Sequence, residues 1–142
     1  MVQKKTKRNY DVILCVAVAI IGAGVFLVNC RGKSGLSLLS TDVPITKCVV
    51  FIVRNEDSTQ IVLDAAQTDK LLDTLSDSAL RFRSNYEVIG PYDNYLFHLF
   101  FYSSTSLNSS FMIDDKGYVY ADGTKYALNR SQEIISYLLS IE

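Results

Sequence analysis

The chain has 142 residues, 49% of them hydrophobic and 20% charged, with two prolines; such a composition folds and excludes an intrinsically disordered chain. Its net charge of −1 hides a split: residues 1–30 carry Lys4, Lys5, Lys7 and Arg8 against Asp11, a sum of +3, while the remainder carries 10 basic and 14 acidic side chains, a sum of −4. An acidic domain repels phosphate backbones, which argues against nucleic-acid binding.

Val12 to Val28, VILCVAVAIIGAGVFLV, holds no charged side chain. At about 1.5 Å per residue it makes a helix of roughly 25 Å, slightly shorter than a bilayer core of about 30 Å. KKTKR precedes it and Asn29-Cys30-Arg31 follows. A basic stretch before an apolar run marks a signal peptide or signal anchor, and positive charge stays on the cytoplasmic side. Leu27-Val28-Asn29-Cys30 also resembles a bacterial lipobox, with Asn29 replacing the usual small residue before the cysteine. Three outcomes follow: an uncleaved single-pass anchor, a lipoprotein attached through Cys30, or a cleaved and released domain. In the first two, the membrane is a partner through residues 12–28 or lipidated Cys30, and the folded part lies on the extracytoplasmic side. Residues 1–30 form the signal or anchor segment, 31–41 a mobile Gly- and Ser-rich tether, and 42–142 the domain.

Lys47 to Arg54, KCVVFIVR, is short, apolar and β-branched, which predicts a buried strand. Asn55 to Ser58 is turn chemistry and Thr59 to Leu63 a returning strand. Asp64 with Gln67 three residues on is a capping box, so a helix spans about 64–78. Asp69, Asp73 and Asp77 line one face of it, as a solvated stripe or a cation or basic-partner site. Leu80 to Ser84 alternates apolar and basic residues. Arg81 and Arg83 then share a face, as guards of a sheet edge or as an anion-contacting pair. Asn85 to Asn94 contains Gly90-Pro91 and forms the longest loop, a common seat of recognition. Tyr95 to Ser103, YLFHLFFYS, is a central strand apolar on both faces, with Leu96, His98, Phe100 and Tyr102 on one side. Ser110 to Asp114, Tyr118 to Tyr120 and Lys125 to Leu128 continue an antiparallel meander, with Asp122-Gly123 as a hairpin turn. Asn129, with Gln132 after it, caps a last helix over about 130–141.

The chain has one histidine and three cysteines. No nucleophile elbow, phosphate loop, calcium loop or CxxC spacing is present, so no catalytic residue, metal or cofactor is assigned. Cys48, within KCVVFIV, reads as a buried, inert thiol. Tyr86, Tyr92, Tyr118 and Tyr120 form a candidate contact rim with Arg81 and Arg83, since Tyr joins an apolar body to a polar tip.

The anchor with Cys30, the passage TQIVLDAAQTDKLLDTL and the closing DDKGYVYADGTKYAL resemble small membrane-anchored or lipoprotein-type extracytoplasmic domains of Firmicutes, especially clostridial ones, whose function is unknown. The expected fold is α+β, an antiparallel sheet of about five to seven strands with two helices packed on one face. The expected function is a non-enzymatic interaction or ligand-binding domain, its partner an unknown protein or envelope ligand. The alternatives are an envelope hydrolase with convergent carboxylates, or a structural or inhibitory domain that pairs through a sheet edge.

Overall fold

A computed structural model describes residues 32–39, 42–55, 57–104 and 106–142. The anchor segment and Cys30 lie outside the described residues. Among the described residues, no helix is long and apolar enough to cross a membrane. Lys33 to Glu142 make one compact unit.

That unit is an α+β fold with eight strands: β1 (Lys33–Ser34), β2 (Lys47–Arg54), β3 (Asp57–Leu63), β4 (Ala79–Asn85), β5 (Leu96–Ser103), β6 (Ser106–Asp114), β7 (Tyr118–Ala121) and β8 (Thr124–Leu128). They form one sheet in the order β1-β4-β8-β7-β6-β5-β2-β3, and every pair is antiparallel. Two helices, α1 (Ala65–Ser76) and α2 (Ser131–Ser140), complete it.

The alternation of the strands decides which face is buried. Cys48, Val50 and Ile52 of β2, Phe97, Leu99 and Phe101 of β5, and Phe111 and Ile113 of β6 share one face in register. These side chains form a single core with Leu71 and Leu75 of α1 and Ile134, Ile135 and Leu138 of α2. Both helices therefore pack on the same sheet face. Burying each large aliphatic side chain contributes about 2 kcal/mol, and neither helix is long enough to persist in water without that contact.

Local chemistry sets the element ends. Asp64 Oδ1 accepts from Gln67 N at 2.8 Å and Gln67 Oε1 accepts from Asp64 N at 2.9 Å, the expected capping box. Asp122 and Gly123 have φ of +47° and +72°, so the two-residue turn between Ala121 and Thr124 has the positive-φ pair that matches strand twist. At the end of α2, Glu142 pairs with Arg54 of β2. The Arg54 guanidinium stands 5.0 Å from the Tyr95 ring centroid, tying the C-terminus to the start of β5.

Three expectations need correction. The described part of the supposed tether is not a tether. Lys33 and Ser34 pair with Leu80 and Ala79, Gly35–Leu38 form a 3-10 turn, and Leu39 is buried in the core. A Cβ on Gly35 would lie 2.5 Å from the Leu75 carbonyl oxygen, so only glycine allows this close approach to α1. β1 is the strand that takes the sheet past seven. Second, β6 begins at Ser106 and not at Ser110, because the polar residues Ser106–Ser110 pair with β5 despite their turn-like composition. Third, Asn129 does not cap α2. The cap position is Arg130, with no side-chain cap bond, while Asn129 Oδ1 accepts from Ala79 N at 2.8 Å and Asn129 N donates to Ala79 O. Arg130 instead bonds Glu133 at 2.9 Å through Nε and Asp77 at 3.1 Å through Nη1.

Candidate contact surface

The sheet face opposite the helices is built from the other half of each alternation. One row across it reads Gln60, Phe51, His98, Met112, Tyr120, Lys125; the next reads Val62, Val49, Phe100, Ser110. On this face Phe51, His98, Phe100 and Met112 are half-buried, Val49 is buried and Val62 at its border is exposed.

A loop crosses part of this face. Residues 86–95 leave the end of β4 and must pass β8, β7 and β6 to reach β5. Tyr86 meets Tyr120 edge-to-face, with ring centroids 5.2 Å apart and planes at 86°, so the loop crosses on the side away from the helices. Asp115 holds its far end: the carboxylate accepts from the backbone N–H groups of Asp93 at 3.2 Å, Asn94 at 2.5 Å and Tyr95 at 3.4 Å. Partial desolvation pushes the Asp115 carboxyl up, but these N–H donors outweigh it and hold the group below its ordinary value.

Under this loop, Tyr120 is only 2% exposed. Its hydroxyl donates to Asp114 Oδ2 at 2.8 Å, while Asp114 Oδ1 accepts from Tyr118 N at 2.8 Å and Lys116 N at 3.0 Å. Burial, then the carboxylate beside it, push the Tyr120 phenol well above its usual range. Tyr120 is therefore buried beneath the loop, on the sheet face opposite the helices. Tyr86, Tyr118 and Tyr92 are half-buried; the Lys125 ammonium lies 3.9 Å from the Tyr118 ring centroid. The structure brings Tyr86, Tyr118 and Tyr120 together and leaves Tyr92 within the loop.

Arg81 and Arg83 are exposed on β4. Their shared face does not follow from simple alternation, because Phe82 pairs with Tyr126 and Ser84 with Lys125, leaving Arg83 as an extra residue at a bulge.

Beyond the loop, the strip on β2, β5 and β6 remains. His98 and Phe100 rings lie 4.0 Å apart, and Phe51 meets Phe100 edge-to-face at 5.6 Å. Burial among these neighbours lowers the His98 pKa and favours the neutral ring. The strip is apolar and holds no nucleophile or charge pair. The alternation of β5 shows half of it in the sequence; Phe51 and Met112 were missed because only strand order makes them neighbours of His98.

Other candidate groups are accounted for. Cys48 is fully buried, and burial, partly offset by a backbone bond from Phe100, pushes its thiol up to about 12, so it is no nucleophile at neutral pH. Asp77 is paired with Arg130, and among the described residues no group of His, Cys, Asp and Glu could hold a metal ion. A cavity of about 460 Å³ lies elsewhere, between Leu38 and Leu39 and the start of β6, with Asp122 as its single carboxylate. Paired carboxylates for glycoside chemistry are not brought together there.

No protein-family model, curated protein or solved structure matches this chain.

Proposed function

We propose that this chain is a membrane-anchored, extracytoplasmic, non-enzymatic binding domain whose contact surface is the half-buried strip of Phe51, His98, Phe100 and Met112. The observation that carries this reading is a sheet with both helices on one face and an aromatic strip on the other. Aromatic and Met side chains of this kind are enriched at the centres of protein interfaces. A sheet face lacks the concavity that small ligands need, so the partner is an apolar protein surface of the cell envelope. The anchored location is supported by the apolar run Val12–Val28 with its basic flank, as a single span or through lipidated Cys30. The acidic charge of the remaining chain supports a partner other than nucleic acid.

The test places a photo-crosslinking amino acid at Phe100, or at Asp69 on α1, in the full chain in its native membrane. A discrete adduct at Phe100 with none at Asp69 is expected; equal labelling, or no adduct from Phe100 or Phe51, would sink the surface claim. Location is read separately by membrane fractionation and intact mass. Full length in the membrane identifies the single span; loss of residues 1–29 with added lipid mass on Cys30 identifies the lipoprotein. A soluble chain would refute both.

A further inference from the structure

β4 has β8 along one side, but β1 on the other side reaches only Leu80 and Ala79. Among the described residues, Arg81–Asn85 therefore present an open sheet edge. Two arginines guard such an edge against strand pairing, yet guarding does not explain the bare apolar groups beside them. Phe82 is 64% exposed and Val88, just beyond the strand, 83%. β1 and β4 together carry Lys33, Arg81 and Arg83 and no acidic residue, in an otherwise acidic stretch of chain; Glu87 is the nearest carboxylate in sequence.

The chain reaches this edge in a defined direction. Antiparallel pairing of Lys33 with Leu80 and Ser34 with Ala79 sets the direction of β1 along β4. Five peptide steps separate Val28, the end of the apolar run, from Lys33. They span at most about 18 Å, close to the length of β4 itself. That length is short enough for an anchored chain to bring Lys33 to a bilayer surface.

We propose that the open edge of β4 rests on an anionic lipid surface, with Arg81 and Arg83 on lipid phosphates and Phe82 and Val88 in the interfacial layer. Guanidinium groups match phosphate oxygens in paired hydrogen bonds. The anchor supplies a high effective concentration, so a small patch suffices. The sheet then stands edge-on, with β3 six strand spacings from β4, about 29 Å, and the aromatic strip faces sideways. This inference rests on the anchored reading.

The chain contains no tryptophan, so Phe82→Trp introduces a single reporter at an exposed site. The full-length variant is reconstituted into phosphatidylcholine–phosphatidylglycerol vesicles with brominated acyl chains, beside Val62→Trp on β3 as the distant control. The expected result is a blue-shifted indole at position 82 that loses most of its emission to bromine, while the indole at position 62 is unquenched. Arg81→Ser with Arg83→Ser should roughly halve the quenching, as removal of headgroup contacts requires. Solvent-like, unquenched emission from position 82 in a chain that floats with the vesicles overturns the edge contact and leaves the anchor intact. Blue-shifted but unquenched emission from position 82 that depends on chain density assigns the edge to a second copy and also overturns it. A chain that does not float refutes the anchored reading and this one with it. Val88→Trp repeats the measurement if Phe82→Trp fails to unfold cooperatively.

Discussion

His98 lies in the middle of the aromatic strip, and its immediate neighbours there are Phe51, Met112 and Phe100, none of which titrates. Its folded pKa is lowered by burial, while the unfolded chain has the ordinary value of about 6.5. Below that value the unfolded state takes up a proton that the folded state resists, so stability is full above it and falls as pH drops toward the folded pKa. Urea midpoints measured from pH 8 to pH 5 should show this fall, and His98→Gln should flatten it; an unchanged slope in the variant would assign the dependence elsewhere. The tyrosines show how far alternation carries at this scale. Periodicity two places Tyr118 and Tyr120 on the same face, and it is right. It says nothing of Tyr86 arriving from a loop or of the Asp114 carboxylate taking the Tyr120 hydroxyl, and those two contacts separate a buried residue from its half-buried neighbour.

Capping chemistry was legible at α1 and misleading at α2. Asp64 and Gln67 bond each other's backbone because both lie in one local turn. Asn129 has the same local signature, but Ala79, fifty residues away, takes its side chain and backbone together. A long-range partner outcompetes the cap, and a sequence window cannot contain it. The two roles separate experimentally. Serine caps a helix as well as asparagine does, but it is too short to reach Ala79 N. Asn129→Ser should therefore cost about 0.5–1.5 kcal/mol in chemical unfolding, as a lost hydrogen bond does; near-neutral stability would restore the cap assignment. The same limit hid β1. Two residues carry no period, and Gly35 looks like linker composition until Leu75 lies 2.5 Å from the Cβ it lacks.

The strand order divides the molecule by chain position. β1, β2, β3 and β4 occupy the two outer flanks, and β5 to β8 fill the space between them. Hairpins were readable from their turns, but this order was not, since α1 carries the chain across the full sheet width between β3 and β4. One consequence is testable. A chain ended at Ala121 keeps the β2–β3 and β5–β6 hairpins but lacks β8, the strand that joins β4 to the rest. Limited proteolysis should cut such a chain throughout Ala79–Asn85, where the full chain resists; a protected fragment would show that the flank holds without β8.

The same order fixes a timetable. β4 leaves the ribosome early and waits for β8, nearly the last segment made, before its edge can join the sheet. For a chain threaded through a membrane from its N-terminal end, folding cannot finish until translocation does. The unfinished domain remains a pulling, unlatched polymer on the far side, and the latch is Thr124–Leu128 arriving beside β4. For such a chain, translocation and closure of this flank end together.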